Sequence, residues 1–140
     1  MEIINSFRVR FFTKAKILAT AQATGRVGEE IATRYLQQEG FRILERNWRL
    51  GKAEIDIIAR DQEALVFVEV KTRSKNLLGP PEAFLSPRQA QLIAAAAAAY
   101  MEKINYDWEL RFDVISILLD QEGDYQIKHL KDAFFPGFDD

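Results

Sequence analysis

Three charged residues lie inside two apolar runs of strand length. Asp56 falls within residues 54–58, and Glu69 and Lys71 fall within residues 65–73; both runs are rich in β-branched and aromatic residues. Strands this apolar usually belong to sheets that are buried on both faces, where an ionised side chain is unfavourable unless it has a partner or a metal. The positions of these charges therefore indicate a site for chemistry.

The polar break between the two runs has the size of a hairpin loop. If the loop is residues 61–64, Arg60 pairs with Leu65, and counting back places Asp56 opposite Glu69. Directly opposed residues share a face of the sheet, with Cβ atoms about 4.5–5.5 Å apart. A register slip of one residue would move the two carboxylates to opposite faces and abolish the site.

This register predicts a metal site at Asp56 and Glu69. Two carboxylates this close repel each other in a poorly solvated site unless a cation lies between them. A hard divalent ion such as Mg²⁺ or Mn²⁺ is held by one or two carboxylates, and water and substrate phosphate complete its coordination. The same register places Glu54 opposite Lys71. The ammonium group of Lys71 could orient or deprotonate a water, or stabilise charge on the phosphate.

Three sequence blocks carry a resemblance to known proteins. They are Gly25-x-x-Gly28-Glu29-x-x-Ala32-x-x-Tyr35-Leu36, Glu54-Ile55-Asp56-Ile57-Ile58-Ala59-Arg60-Asp61 and Val66-Phe67-Val68-Glu69-Val70-Lys71-Thr72-Arg73. An aspartate followed by Glu-x-Lys on an adjacent strand resembles the PD-(D/E)xK, or restriction-endonuclease-like, nuclease superfamily. All three blocks together look like the YraN family of uncharacterised bacterial proteins, which is similar in turn to archaeal Holliday-junction resolvases. Ala53 stands where that family usually has glycine.

The resemblance implies a fold, an activity and a set of roles. The fold is α/β, a restriction-endonuclease-like mixed sheet flanked by helices. The activity is Mg²⁺-dependent phosphodiester hydrolysis on DNA, with Asp56 and Glu69 as ligands and Lys71 beside the attacking water. The resemblance also marks Glu29 as an auxiliary carboxylate, and on a helical wheel this residue falls at the edge of the apolar face. A solvated first-turn acid, favoured by the helix dipole, is the alternative interpretation of Glu29.

The elements that would position these residues follow from the hydrophobic periodicity. Residues 25–39 are predicted to form a helix that ends at Gly40. A second helix is predicted to begin with Ser86 as N-cap and Pro87 at the first position, and to continue to about Lys103. This order of elements predicts an α/β domain with a mixed sheet between helices. The remaining strands are predicted at residues 41–48, 109–119 and 125–130, the last at an edge of the sheet.

Nucleic acid, and DNA in particular, is the expected partner. The net charge of −2 argues weakly against it, but the acidity is concentrated in residues 101–140, which hold ten acidic and four basic residues. The resemblance places basic or amide residues near the start of the second helix, facing the phosphate. A mixed, solvated surface is the alternative interpretation. The candidate contacts are Arg49, Lys52, Arg73, Lys75, Arg88 and Gln91.

Composition limits the other possibilities. Of 140 residues, 48% are hydrophobic and 29% charged, which is typical of a soluble globular domain. The absence of cysteine excludes disulfides, thiolate metal sites and a cysteine nucleophile, and it fits the cytoplasm. No uncharged stretch is long enough to cross a membrane. We expect the single histidine, His129, to lie on the surface, and Asp113 to be a structural partner of a basic side chain.

Two terminal segments complete the prediction. Residues 1–24 are expected to form a basic arm, irregular or helical, outside a single nuclease-like domain over residues 25–140. Residues 134–138 are an apolar tail that either covers the core or makes a homodimer contact.

Three functions stay open at this point. The first is a metal-dependent nuclease acting on DNA, including branched DNA. The second is a nucleic-acid-binding module of nuclease ancestry with little or no catalysis. The third is purely structural, with Asp56 and Glu69 sharing a proton and no ligand bound. The intact set of catalytic residue types favours the first.

Overall fold

The computed structural model describes residues 2–8, 21–74, 86–120, 122 and 124–133. Within these ranges the chain forms two helices and six strands. In chain order they are β1 (Glu2–Arg8), α1 (Ala21–Gln38), β2 (Arg42–Leu50), β3 (Ala53–Asp61), β4 (Ala64–Ser74), α2 (Pro87–Lys103), β5 (Leu110–Leu119) and β6 (Asp124–Leu130). Lys75, residues 9–20 of the predicted arm and the apolar tail at 134–138 lie outside the described residues, so the expectations for them stay predictions.

All six strands form one sheet in the order β1-β6-β5-β4-β3-β2. Strands β4 and β5 are parallel, and the other neighbouring pairs are antiparallel. A parallel pair needs a crossover connection, and α2 lies between these two strands in the chain. The predicted α/β class is confirmed, and the architecture is consistent with a restriction-endonuclease-like fold.

The two helices cover opposite faces of the sheet. Alternate residues of β4 separate accordingly: Val66 and Val68 pack in the cluster with α1, whereas Leu65 and Phe67 pack in the cluster with α2. Glu69 follows Phe67 by two residues and therefore lies on the α2 side. The apolar face predicted for α1 is buried as expected, through Val27, Ile31, Ala32, Tyr35 and Leu36.

Helix α2 begins as its sequence predicts. The Ser86 hydroxyl accepts a hydrogen bond from the backbone N–H of Gln89 at 3.1 Å, and the Gln89 side-chain oxygen accepts one from the backbone N–H of Ser86 at 3.4 Å. This reciprocal capping box, with Pro87 at the start, fixes the direction in which the helix enters. One turn further along, Ile93 packs in the same cluster as Ala53 and Ile55 of β3.

The N-terminal residues depart from the prediction. Residues 2–8 are not an irregular or helical arm but strand β1, which pairs antiparallel with β6. An uncovered edge strand presents unpaired N–H and C=O groups, and a neighbouring strand satisfies them. Strand β6 is consequently internal, and the prediction that it forms the edge is wrong. The described residues contain no helix long and apolar enough to cross a membrane.

The prediction that His129 lies on the surface is wrong, because the side chain is fully buried. Its Nε2 lies 2.8 Å from Asp113 Oδ2, and its Nδ1 lies 2.9 Å from the Tyr35 hydroxyl. Arg111 binds the same carboxylate through two nitrogens at 2.8 and 2.9 Å, and the backbone N–H of Asp132 donates to it at 3.0 Å. The polar residues around His129 suggested that it is exposed. Along β6, however, its side chain lies on the same face as the buried Ile127.

Candidate functional site

The central hairpin has the predicted register. Arg60 pairs with Leu65, and the ladder continues to Ile57 and Val68. The turn is tighter than expected, because pairing extends into residues 61–64 and leaves only the two middle residues unpaired. The predicted register is therefore present up to the pair of Ile57 and Val68, which is the pair next to Asp56 and Glu69.

The ladder ends one step before Asp56. The backbone N–H of Val70 donates to the Asp56 carboxylate at 2.8 Å, so a side chain takes the place of a strand partner. The alternation of β3 is also interrupted, since Ile55 and Ile58 both pack in the cluster under α2. Across from this point on β2, Asn47 adopts a left-handed backbone with φ of 53°, a conformation that asparagine tolerates better than most residues.

Two predicted pairs are consequently absent from the ladder. Asp56 is not directly opposite Glu69, and Glu54 is not opposite Lys71, because the two strands separate beyond Ile57. Strict alternation of side chains was the assumption that failed. Asp56 and Glu69 nevertheless line the same pocket.

That pocket has a volume of about 210 Å³ and opens where β3 and β4 separate beneath the start of α2. Carboxylates form one side of it, and an amide, a lysine and apolar side chains form the rest. The lining residues are Lys52, Ala53, Glu54, Asp56, Glu69, Gln89, Leu92 and Ile93. The pocket can therefore admit a small charged group next to the acids.

Three carboxylates converge at this place. Among the described residues, Glu29, Glu54 and Asp56 have carboxylate oxygens that all lie within 4.8 Å of one another. Glu29 comes from α1, as the resemblance implied, and the other two come from β3. Glu69 lies outside this trio, whereas Glu54, which was expected to face Lys71, belongs to it. The spacing of two residues between Glu54 and Asp56 was the sequence signal for their proximity.

The electrostatic state of Asp56 reflects this crowding. Burial raises its pKa, the negative charge of Glu69 raises it further, and the total reaches about 8 despite the hydrogen bond from Val70. The pKa of Glu69 is also raised by burial, although the neighbouring Lys71 opposes the effect. Burial raises the pKa of Glu29 as well, against a hydrogen bond from Asn47. The cluster thus holds more carboxylates than its own cationic side chains neutralise.

Lys71 lies beside Glu69 on the same strand. Its Nζ is 3.4 Å from Glu69 Oε1, and the two side chains are 22% and 14% exposed. The structure therefore brings together all four predicted site residues, with Glu29 and Asp56 in one group and the Glu69–Lys71 ion pair next to it. Their roles in chemistry stay predictions.

The candidate nucleic-acid contacts fall in different environments. Arg49 is 74% exposed and its Nη2 lies 2.6 Å from Glu54 Oε2. Lys52 lines the pocket, Arg88 is exposed in the first turn of α2, and Arg73 is half-buried on β4.

Gln91 does not line the described pocket, whereas Gln89 does. Helical periodicity was the signal that could have identified Gln89. It precedes the buried Ile93 by four residues and therefore shares its face, whereas Gln91 is exposed.

Comparison with known proteins adds a family. The model of the "Uncharacterised protein family UPF0102" matches residues 28–117. A UPF0102 protein of Flavobacterium psychrophilum is 42% identical over 111 residues, which cover 79% of this chain and 92% of the relative. One of Pelobacter propionicus is 46% identical over 114 residues, covering 79% and 81%. One of Christiangramia forsetii is 42% identical over 118 residues, covering 84% and 98%.

Proposed function

We propose that this chain, which belongs to the UPF0102 family, is a metal-dependent nuclease that hydrolyses phosphodiester bonds in DNA, including branched or otherwise structured DNA. The single observation that carries the proposal is the convergence of Glu29, Glu54 and Asp56 within 4.8 Å beside the Glu69–Lys71 pair. Carboxylates gathered in a poorly solvated site repel one another, and a cation relieves that repulsion.

The donor set fits Mg²⁺ or Mn²⁺. All the candidate ligands are carboxylate oxygens, which hard divalent ions prefer, and the described site contains no histidine. The raised pKa of Asp56, about 8, points the same way, because a cation is the partner that would keep this buried group ionised at neutral pH. Glu29, Glu54 and Asp56 would hold the ion, and Glu69 lines the same pocket as Glu54 and Asp56.

The bound ion would act as a Lewis acid and would lower the pKa of a bound water. The chain's own residues supply orientation and charge. Lys71 presents an ammonium group next to Glu69, where it can orient the attacking water or stabilise negative charge on the phosphoryl oxygens. The hydrogen bond from Val70 fixes Asp56, and Arg49 holds Glu54, so both carboxylates are oriented before substrate arrives.

Exposed cations flank the pocket and would contact the DNA backbone. Lys52 lies on its wall, Arg49 lies at the end of β2, and Arg88 lies in the first turn of α2. Such phosphate contacts position a nucleic acid without reading its sequence. They also make binding strongly dependent on salt, because each contact releases condensed counterions.

A cleavage assay tests this function. Single-stranded, duplex, flap and four-way DNA would be incubated with the wild type in Mg²⁺ or Mn²⁺ and in EDTA. We expect metal-dependent cleavage that Lys71→Ala lowers by about a hundredfold or more. Lys103→Ala, which removes an exposed lysine at the end of α2, is the matched control and should cleave like the wild type.

Two outcomes would contradict the proposal. Salt-dependent DNA binding with no cleavage on any substrate would support a binding module in place of a nuclease. Cleavage that survives Lys71→Ala and EDTA would indicate a contaminating enzyme or another site.

A further inference from the structure

Helix α1 touches β4 at a point where only glycine fits. Gly28 is buried against Thr72, and a Cβ atom built on Gly28 would lie 1.7 Å from Thr72 Oγ1, 2.7 Å from its Cβ and 2.8 Å from its Cγ2. Real Cβ atoms essentially never approach a heavy atom closer than 3.0 Å. The helix and the strand are therefore closer together here than any other residue at position 28 would allow.

Rotation of the threonine side chain does not relieve this contact. A turn about χ1 exchanges the places of Oγ1, Cγ2 and hydrogen but leaves Cβ where it is, at 2.7 Å. The Cβ atom is attached directly to the backbone of β4, a central strand of the sheet. A side chain at position 28 must consequently move the helix away from the sheet.

On both α1 and β4, the residue in the Gly28–Thr72 contact is a direct chain neighbour of a candidate site residue. Gly28 precedes Glu29 on α1, and Thr72 follows Lys71 on β4. Glu29 is the member of the carboxylate trio that comes from outside the sheet, so its distance from Asp56 depends on how closely α1 approaches. Glycine is unfavourable inside a helix, and the contact with Thr72 gives a packing reason for it at position 28.

We propose that Gly28 is a positioning residue that sets the distance between α1 and β4 and so holds the Glu29 carboxylate against Glu54 and Asp56. This inference rests on the proposed metal-dependent function. Gly28 touches neither substrate nor ion, and it acts only through Glu29.

The same helix provides a matched control. Gly25 lies three residues earlier on α1, and a Cβ atom there would have nothing within 4 Å. Gly25→Ala makes the same chemical change in the same helix without the clash. A difference between the two alanine variants therefore reports the contact with Thr72 and not the general effect of removing a glycine.

The test is calorimetric titration with Mn²⁺. We expect Gly28→Ala to lower the affinity for Mn²⁺ by about tenfold or more, as removal of groups that orient metal ligands commonly does, while Gly25→Ala stays within about twofold of the wild type. In a protein that already carries Glu29→Gln, adding Gly28→Ala should cause no further loss of affinity for Mn²⁺. The double variant G28A/T72G, which removes the opposing Cβ, should bind like T72G alone.

Each result decides the matter. Equal affinity for the wild type and Gly28→Ala, or an equal loss in the Glu29→Gln background, would overturn this inference alone. Absence of Mn²⁺ binding by the wild type would overturn the proposed function and this inference with it. If Gly28→Ala does not fold, as judged by circular dichroism, the folded double variant carries the test, and a loss of Mn²⁺ affinity relative to T72G would contradict the proposal.

Discussion

Two buried aspartates of the same sheet have opposite surroundings. Asp113 on β5 receives hydrogen bonds from Arg111, His129 and the backbone of Asp132. Asp56 on β3 receives one backbone hydrogen bond and otherwise faces other carboxylates. Burial alone would raise the pKa of both, but the partners of Asp113 outweigh it and lower its pKa, whereas the pKa of Asp56 rises to about 8.

The difference separates a structural carboxylate from a functional one. A buried charge that the chain neutralises completely leaves nothing for a ligand to add. A buried carboxylate that is surrounded by other carboxylates is unfavourable when ionised in the free protein. Groups with a pKa perturbed in this way cluster at functional sites. The contrast between Asp113 and Asp56 thus locates the site by its missing positive charge.

Replacing Asp113, the carboxylate that the chain neutralises, should lower stability the most. Asp113→Asn removes one of the two carboxylates that pair with Arg111, the other being Asp61, and weakens the bond to His129, so we expect the free energy of unfolding to fall by about 3 kcal/mol. Urea denaturation in EDTA measures the change. Asp56→Asn, the same substitution on β3, is the comparison and should leave stability unchanged or increase it. Equal destabilisation by the two variants would remove the contrast.

The second effect is a pair of opposite dependences on pH. The folded state holds the proton of Asp56 more tightly than the unfolded state does, so its contribution to stability is present at low pH and is lost as pH rises from its ordinary value of 3.8 towards about 8. We expect a loss of about 2 kcal/mol in total, because water in the open pocket screens part of the repulsion.

Asp113 should behave in the opposite way, because its pKa is lowered in the folded state. Its contribution is present above its ordinary value of 3.8 and is lost as pH falls through the folded value. Unfolding in EDTA at a series of pH values measures both dependences. Asp56→Asn should make the free energy of unfolding depend less on pH between about pH 4 and pH 8. Asp113→Asn should weaken the loss of stability at acidic pH. An unchanged profile in Asp56→Asn would contradict the raised pKa.

A smaller loss of stability is expected when the hydrogen bond between Tyr35 and His129 is removed. The ionised Asp113 can only accept hydrogen bonds, so Nε2 of His129 carries a proton, and Nδ1 pairs with the Tyr35 hydroxyl. Tyr35→Phe leaves that buried nitrogen without its hydrogen-bond partner and should destabilise the fold by about 1 kcal/mol. Thermal unfolding measures the loss, and binding of Mn²⁺ should not change, because neither Tyr35 nor His129 lines the pocket or belongs to the carboxylate trio.

The smallest effect comes from a neighbouring exposed acid. Glu30 follows Glu29 on α1 and forms ion pairs of 3.2 Å with Arg34 and Arg46 near the surface. Glu30→Gln should change stability by about 0.5 kcal/mol or less and leave Mn²⁺ affinity unchanged. Glu29→Gln, one residue away, should lower that affinity by about tenfold. Similar losses from both would mean that the general negative potential matters and the position of the carboxylate does not.

The sequence was sufficient for the features that depend on short-range periodicity. Alternation along β4 placed Glu69 on the side of Phe67, and the hairpin register followed from the polar break around residues 61–64. Ser86 and Pro87 predicted the start of α2 because capping is a local interaction.

The features that the sequence could not supply depend on contacts between distant segments. The left-handed Asn47 and the hydrogen bond from the Val70 backbone to the Asp56 side chain lie where the β3–β4 ladder ends, so Asp56 and Glu69 do not form a ladder pair. Burial of His129 likewise depends on Tyr35, 94 residues away in the chain. Neither contact has a periodic signal in the sequence.

Calorimetric titration of the wild type and Asp56→Asn with Mn²⁺ shows whether the carboxylates around Asp56 bind a cation. The exposed Asp107 provides the matched control, Asp107→Asn. If the carboxylates around Asp56 form a cation site, the wild type and the control bind Mn²⁺, and Asp56→Asn loses about tenfold or more in affinity. The same binding isotherm for all three proteins would mean that Asp56 is not part of a cation site.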